Sequence, residues 1–269
     1  MIALAHRDFG TQGRPSLVIL HGLLGSSRNW QTVARDLSPH FHVMALDLRN
    51  HGSSPHADDC SFEAMVGDVL AWMDRKNIPR TTLLGHSLGG KVAMLLACRH
   101  VDRVERLIVV DIAPKAYLSH AHRAEFAAMN ELDLATLKSR GEAELRFEAR
   151  VPDWGMRKFL ATNLERTEDG SWRWAVNLPT LTRALQTLED NSLLSRDRYC
   201  GPARFIVGGR SRYVSASDES EIRLHFPHAS LKRIENSGHN PHMEAREEFV
   251  AEVLEFALEA NADGQFHPG

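Results

Sequence analysis

The sequence lacks the features that mark membrane, exported or nucleic-acid-binding proteins. It has no apolar run long enough to cross a bilayer, and its first residues show no basic stretch followed by an apolar one. Neither sign of charge dominates, because 32 lysines and arginines stand against 35 acids for a net charge of −3, and no basic cluster is present. We therefore expect a cytoplasmic protein without a membrane or nucleic-acid partner.

Signals for metals and cofactors are also scarce. The three cysteines are far apart and lack the paired spacing of a zinc site, at Cys60, Cys98 and Cys200. No G-x-G-x-x-G opens a helix and no P-loop is present, so Asp47 after a strand is not interpreted as a ribose-binding acid. Asp47, Arg49 and His51 are expected instead to tie down a loop behind a site. We expect no metal and no cofactor.

What the chain does have is the pattern of a large α/β protein. Its 269 residues are 43% hydrophobic, enough for a sizeable core. Short apolar runs typical of strands buried on both faces lie at 16–21, 43–46, 81–84 and 107–110 and alternate with segments of helical length. Two more strands are predicted at 203–209 and 230–235. This alternation predicts a doubly wound, mostly parallel sheet with helices on both faces.

The alternation is interrupted after Pro114. Residues 115–198 contain amphipathic helical patterns and a turn at 168–170, so we predict a helical cap inserted between two parts of the core, 1–114 and 199–269. An insertion of this kind is expected over the carboxyl ends of the strands, where open α/β sheets bind ligands. The polar tail over 261–269 is expected to be frayed.

The stretch LLGHSLGG places Ser87 between Gly85 and Gly89, after an apolar strand and before an apolar helix. That context is typical of a nucleophile elbow, in which glycines permit a tight turn and the serine hydroxyl is exposed. The backbone N–H of Leu88 would then face a developing oxyanion from a helix N-terminus. In the earlier segment HGLLG, the N–H of Leu23 is the natural second oxyanion donor, and His21 is interpreted as a structural residue of that loop.

A serine nucleophile needs a base, and the segment NSGHNPH offers two histidines after the last predicted strand. His239 and His242 both lie on a loop that can cover the strand ends. A metal site formed by this pair is not expected, because no third ligand is evident and Pro241 prevents helical presentation. His120 and His122 in the cap segment are interpreted as ordinary residues.

Six segments taken in order resemble the α/β-hydrolase superfamily, and specifically its small bacterial esterases of the YbfF type. They are HGLLGSSRNW, DLRNHGSSPH, GHSLGGK, VDIAP, GGRSRYVS and SGHNPHME, and they extend over nearly the whole chain. The resemblance implies that Ser87 is the nucleophile and His239 the base, that Leu23 and Leu88 form the oxyanion hole, and that His242 has a supporting role. Asn240 stands where these esterases commonly carry an aromatic residue, so we expect a more polar wall beside His239.

The acid of the triad is harder to place. Many α/β-hydrolases carry it in a G-x-x-D segment after the strand that follows the cap, but here Ser211 stands in that position, and a serine cannot hold an imidazolium as a carboxylate does. Asp111, at the end of a neighbouring strand, is the nearest alternative, and YbfF-type esterases place their acid in a similar D-I-A-P segment. We therefore predict Asp111 as the acid, with Asp218 and Glu235 as weaker candidates.

The expected activity is that of a serine hydrolase acting on a small carboxylic ester or acyl thioester through an acyl-enzyme. The same triad also serves cofactor-free perhydrolases, called haloperoxidases, which are the alternative, and a catalytically silent scaffold is the third possibility. Haloalkane dehalogenases are disfavoured, because their nucleophile is an aspartate. Four aromatic residues of the cap segment are candidates for lining an acyl groove: Trp154, Phe159, Trp172 and Trp174.

Overall fold

The computed structural model describes residues 1–117 and 122–259, so His120 and the tail over 261–269 lie outside the described residues. Seven strands form the main sheet, in the spatial order β1, β3, β2, β4, β5, β8, β9. Their bounds are β1 His6–Phe9, β2 Ser16–Leu20, β3 His42–Leu46, β4 Thr81–His86, β5 Val104–Val110, β8 Ala203–Gly208 and β9 Ala229–Ile234.

Every neighbouring pair in this sheet is parallel except β1 with β3, which is antiparallel. Side chains of β2 alternate between two separate cores. Val18 and Leu20 pack with the helices over 62–75 and 88–99, whereas Leu17 and Ile19 pack with the helices over 31–37 and 246–258 on the opposite face. The predicted doubly wound α/β sheet is therefore confirmed, with helices covering both faces.

The helices that cover the sheet and the cap segment follow one another along the chain. Their bounds are α1 Gln31–Leu37, α2 Phe62–Arg75, α3 Leu88–Arg99, α4 Arg123–Glu131, α5 Arg140–Arg146, α6 Trp154–Ala161, α7 Leu178–Glu189, α8 Glu219–His225, α9 Pro241–Glu244 and α10 Arg246–Leu258. In the described part of the chain, none of them is both long and apolar enough to cross a membrane.

The segment between β5 and β8 is not all helical, contrary to the prediction. It contains an antiparallel hairpin formed by β6 (Leu164–Arg166) and β7 (Trp172–Trp174) in addition to α4 to α7. The turn predicted at 168–170 joins these two strands, and Gly170 supplies the positive φ of 83° that the turn requires. Two strands of three residues each are too short to show an alternating pattern in the sequence.

Polar side chains tie this inserted segment to the core. The buried ammonium of Lys91 in α3 donates to the carbonyls of Leu188 and Asp190 at the end of α7, over 3.1 and 2.6 Å. The amide of Asn163 donates to the carbonyl of Leu24 over 2.9 Å. The insertion is thus held against the loop that follows β2 and against the helix that follows β4, at the carboxyl ends of the two central strands.

Candidate active site

Ser87 occupies a strained turn between β4 and α3. Its φ of 50° and ψ of −115° are sparsely populated by residues with a side chain. A Cβ atom added to Gly85 would lie 2.2 Å from the carbonyl oxygen of Gly89, and one added to Gly89 would lie 2.3 Å from the carbonyl oxygen of Leu20. The tight turn therefore depends on both glycines, as the elbow interpretation requires.

The loop after β2 lies directly beside this turn. A Cβ atom added to Gly22 would be 3.3 Å from the Cβ of Ser87 and 2.8 Å from Nδ1 of His86. Leu23 follows Gly22, and Leu88 begins α3, where backbone N–H groups have no partners within the helix. The structure thus brings both predicted oxyanion donors into the neighbourhood of Ser87.

Two buried histidines hold the loop after β2. The Nε2 of His21 accepts from the N–H of Leu48 over 3.0 Å, and its Nδ1–H donates to the carbonyl of Gly22 over 2.8 Å. The Nε2 of His51 accepts over 3.2 Å from the N–H of Leu24, whose φ is 60°. Burial lowers the pKa of His21 and lowers that of His51 to about 3, so both rings are neutral and each can accept one bond and donate another.

Asp47 and Arg49 act on the same part of the fold, as the sequence suggested. The Asp47 carboxylate accepts from the N–H groups of Ser27 and Ser53, over 2.6 and 2.9 Å. The Arg49 guanidinium donates to the buried carboxylate of Asp68 over 2.7 Å. Both charged side chains are therefore engaged by loops behind the site and are not presented to a ligand.

Asp111 lies at the end of β5, fully buried and with a φ of 50°. Its Oδ2 accepts from Nδ1–H of His239 over 2.7 Å and also from the hydroxyl of Ser211. Its Oδ1 accepts from the N–H of Gly208 over 2.9 Å. The bond to Asp111 leaves Nε2 of His239 as the basic atom of the ring. The Ser211 hydroxyl and the imidazole therefore share one carboxylate oxygen.

The two weaker candidates for the acid are placed differently. The carboxylate of Asp218 accepts from the ammonium of Lys115 over 2.6 Å and from the N–H of Ser215 over 2.8 Å. Glu235 is exposed at the end of β9 and packs against Gly209. Neither carboxylate is recorded as bonded to His239, so Asp111 is the carboxylate that the geometry favours.

His86, the residue before the nucleophile candidate, contacts the candidate base. Its Nε2–H donates to the backbone carbonyl of His239 over 2.9 Å, and the centres of the two rings are 4.7 Å apart. His242 stacks on Trp30, with 4.1 Å between ring centres. Burial lowers the pKa of His86 to about 3 and that of His242 well below its usual range, so both rings are neutral. Of the two competing histidines, only His239 is seen to bond to Asp111.

Tyr213 is a residue of the site that the sequence did not single out. Its ring lies nearly parallel to the imidazole of His239, with 3.8 Å between ring centres and 16° between planes. His239 therefore has an aromatic neighbour from another loop, whereas the more polar wall expected from Asn240 stays a prediction. Asn240 instead donates its backbone N–H to Glu244 over 3.2 Å.

The four aromatic residues proposed for an acyl groove have different surroundings. Trp154 is 59% exposed, and the ammonium of Lys158 lies 3.9 Å from its ring centre, so it is a surface residue. The indole N–H of Trp172 donates to the carbonyl of Leu137 within the cap segment over 2.8 Å. Phe159 and Trp174 are half-buried. Trp154 is therefore not suited to the groove role in this conformation.

The site is nearly closed to solvent. Ser87 is 6% exposed and Leu88 4%, whereas the side chain of His239 is 23% exposed. No three His, Cys, Asp or Glu side chains within 1–117 and 122–259 are grouped as ligands of a metal ion would be. What the arrangement offers chemically is a serine on a strained turn whose chain neighbour, His86, is bonded to an imidazole that a buried carboxylate orients.

Comparison with known proteins gives consistent results. Residues 15–246 match the family described as the alpha/beta hydrolase fold. The chain is 38% identical over 249 residues to the mouse sn-1-specific diacylglycerol lipase ABHD11, covering 90% of this chain and 80% of that protein. It is 33% identical over 228 residues to esterase YbfF of Escherichia coli, covering 85% and 87% respectively. The solved structure of a marine microorganism esterase superposes with a TM-score of 0.92 at 35% identity, covering 95% of this chain and all of that one.

Proposed function

The chain belongs to the α/β-hydrolase family and is of its YbfF type, and from that premise we propose that it is a serine hydrolase of carboxylic esters or acyl thioesters with small acyl groups. Several relatives, the mouse and Escherichia coli proteins among them, are named lipases or esterases, which supports ester hydrolysis at the level of the family. Beyond the family level, we propose which residues carry out the reaction, that it passes through an acyl-enzyme, and which class of substrate is hydrolysed.

In the proposed mechanism, the Oγ of Ser87 attacks the acyl carbonyl carbon while Nε2 of His239 takes the hydroxyl proton. Asp111 stabilises the imidazolium through the bond to Nδ1–H. The backbone N–H groups of Leu23 and Leu88 stabilise the oxyanion of the tetrahedral intermediate. When this intermediate collapses, the leaving alcohol or thiol receives the proton from His239, and the acyl group remains on Ser87.

Hydrolysis of the acyl-enzyme repeats these steps with water as the nucleophile. Nε2 of His239 takes a proton from the water as its oxygen attacks the acyl carbon, and the same proton then returns to Oγ of Ser87 as the carboxylic acid leaves. The backbone donors stabilise the oxyanion in both halves of the cycle. None of these steps calls for a group beyond substrate and water.

The observation that carries the proposal is the connection of three segments distant in sequence. The Nδ1–H of His239 bonds to the buried carboxylate of Asp111, and the backbone of His239 is bonded to His86, the neighbour of Ser87. A protein that used this fold only as a scaffold would have no need for a serine on a strained turn connected through its neighbour to an oriented imidazole.

The low exposure of the site, its neutral histidines and the names of the relatives together indicate the substrate class. A nearly closed site favours a small acyl group, and the neutral histidines around it provide no charge to bind an ionic head group. The mouse relative is named a diacylglycerol lipase, so a diacylglycerol belongs in any substrate panel. We propose a small-molecule ester or thioester as the partner of the protein.

The test is hydrolysis of p-nitrophenyl esters and acyl-coenzyme A thioesters with short, medium and long acyl chains, and of a diacylglycerol. We expect the wild type to hydrolyse at least the short esters. Ser87→Ala should reduce kcat by about 10⁵-fold or more, because the nucleophile is lost. The control is Ser195→Ala, which removes an exposed serine hydroxyl at the end of the cap segment and should leave kcat unchanged.

A covalent probe gives a second readout. A fluorophosphonate should label the wild type and Ser195→Ala at one serine, identified by peptide mass spectrometry as Ser87, and should not label Ser87→Ala. Undiminished turnover in Ser87→Ala, or labelling at another serine, would show that the proposed nucleophile is wrong. Peroxide-dependent halogenation that exceeds ester hydrolysis would favour the perhydrolase instead.

A further inference from the structure

The loop after β8 supplies two side chains to the acid–base pair, although it carries no acid itself. Ser211 donates its hydroxyl to Asp111, and Tyr213 places its ring on His239. The N–H of Tyr213 donates to Oγ of Ser211 over 3.2 Å, so the two side chains are positioned together. The position in which other family members carry the acid is thus occupied by residues that contact both members of the pair.

Tyr213 is itself held from several directions. The hydroxyl of Tyr117 donates to its backbone carbonyl over 2.9 Å, and the Tyr117 ring lies 5.5 Å away between ring centres. The Tyr213 hydroxyl lies 3.4 Å from Nε2 of His122, whose Nδ1 is 3.2 Å from the carboxylate of Glu189. His122, which is held by Glu189, therefore lies at the hydroxyl end of the Tyr213 ring, and the face of the ring packs against His239.

A parallel aromatic ring in van der Waals contact acts on an imidazole in two ways. It restricts rotation of the imidazole about the Cβ–Cγ bond, because any large rotation would drive the two rings into each other. It also stabilises the protonated imidazole, because the face of a tyrosine ring is electron-rich and attracts a cation. Both effects favour the imidazolium form that a general base reaches when it takes a proton.

We propose that Tyr213 is a positioning residue for the catalytic base, one that fixes the plane of the His239 ring and stabilises its protonated form through the stacked ring face. This rests on the proposed function for its role in catalysis. Its effect on the imidazole can be measured without any substrate. The hydroxyl of Tyr213 is not required for this role, because it points away from His239 toward His122.

Titratable groups face both the His239 ring and the Tyr213 ring. His239 is faced by Asp111, His86, His242 and Tyr213. Tyr213 interacts in addition with His122 and with the carboxylates of Glu125 and Glu189. Uncharged substitutions at position 213 leave the identities of these charged groups unchanged, so a difference in the titration of His239 between a variant that keeps the ring and one that lacks it would report on the ring face.

The experiment compares Tyr213→Phe, which keeps the ring, with Tyr213→Leu, which covers the imidazole without a π face. The pKa of His239 is measured by NMR titration of histidine-labelled protein without substrate, with its signal assigned by His239→Gln. We expect Tyr213→Leu to lower this pKa by about 0.5 to 1 unit and Tyr213→Phe to leave it within about 0.3 unit. On the best ester, the acid limb of kcat/KM should move to lower pH by the same amount, and kcat should fall about tenfold only in Tyr213→Leu.

Equal pKa values in the wild type and Tyr213→Leu, with equal kcat, would overturn the proposal. Equal losses in Tyr213→Phe and Tyr213→Leu would also overturn it, because they would assign the effect to the hydroxyl and its contact with His122. If Tyr213→Leu does not fold, Tyr213→Met makes the same comparison. A lowered pKa in a protein that hydrolyses no ester would support the role of the ring and reject the proposed function.

Discussion

At the scale of single residues, the chemistry of the site depends on how one buried carboxylate is satisfied. Asp111 is fully buried, and burial of a carboxylate is costly unless its oxygens accept hydrogen bonds. It accepts three, from Gly208, Ser211 and His239. The Gly208 and Ser211 donors hold the carboxylate in place while the imidazole changes its charge, so they are expected to affect catalysis less than the carboxylate itself.

This ordering predicts the effects of two substitutions. Asp111→Asn keeps the shape but removes the charge, and it should lower kcat by about 10⁴-fold, because the amide can no longer stabilise the imidazolium or select its tautomer. Ser211→Ala removes one hydrogen bond to a charged group and should lower kcat about tenfold. Steady-state kinetics on the best ester measures both. The control is Asp218→Asn, whose carboxylate is engaged by Lys115. If Asp218→Asn or Glu235→Gln lost activity while Asp111→Asn kept it, the acid would be misassigned.

The sequence was informative about these residues to different degrees. The strained turn at Ser87 could be predicted because the elbow is a local motif, in which the glycines and the serine lie within five residues. The stacking of Tyr213 on His239 and the bond from His86 to His239 could not, because they depend on side-chain directions across segments 26 and 153 residues apart. The sequence did contain one signal for this loop, because Ser211 stands in the position where many family members carry the acid.

At the scale of elements, the turn at Ser87 is set by how closely α3 approaches β2. A Cβ atom at Gly89 would lie 2.3 Å from the carbonyl oxygen of Leu20 and 2.6 Å from that of His21. One at Gly90 would lie 2.5 Å from Cγ2 of Ile112. Backbone carbonyls cannot move aside as flexible side chains can. The first turn of α3 therefore packs directly against the end of β2 and the start of the loop that follows it.

Gly89→Ala should accordingly destabilise the protein by roughly 3 kcal/mol or more, since an overpacked backbone contact must be relieved by moving α3. Activity should fall with it, because Leu88 would move with the helix. Gly141→Ala is the matched control in α5. A Cβ atom there meets nothing closer than Oγ of Ser139 at 3.8 Å, so that variant should be neutral or slightly stabilising. Urea unfolding of the two variants measures the difference, and equal stabilities would contradict the close-packing argument.

Parallel strands were easier to predict than the other strands. Four central strands, β2, β3, β4 and β5, are short and mostly apolar because both of their faces are buried, and this pattern was visible in the sequence. β1 (His6–Phe9) has mostly polar residues at the edge of the sheet, and the β6–β7 hairpin consists of two three-residue strands. Such strands are defined by the neighbours with which they pair, and this information is not local.

At the scale of the whole molecule, four buried and neutral histidines surround the site. His21 and His51 hold the loop after β2, and His86 and His242 pack behind His239. Burial is the largest cause of the lowered pKa in each case. All four must stay neutral in the folded protein, whereas in the unfolded chain they take up protons below their ordinary pKa of 6.5.

The sign of the pH dependence follows from this difference. A histidine whose folded-state pKa is lowered stabilises the fold above pH 6.5, and this contribution is lost as the pH falls from 6.5 toward the folded-state value, about 3 for His51 and His86. At pH 5.5, one pH unit below the ordinary pKa, a histidine whose folded-state pKa is about 3 costs about 1.4 kcal/mol, so His51 and His86 together cost about 3 kcal/mol. A loss of this size is a large part of the stability of many domains. We therefore expect the melting temperature to fall steeply below about pH 6.

His242 offers the sharpest test of this explanation, because its ring stacks on Trp30 and its buried Nδ1 is recorded without a hydrogen-bond partner among the described residues. His242→Phe keeps the stack and removes a titrating group, so it should reduce the loss of unfolding free energy between pH 7.5 and 5.5 by about 1.4 kcal/mol. His100→Gln, at an exposed histidine, should leave that loss unchanged. Urea unfolding at both pH values measures the difference. If His242→Phe were as acid-sensitive as the wild type, protonation of the buried histidines would not be what destabilises the fold, and the carboxylate pairs would have to be considered in their place.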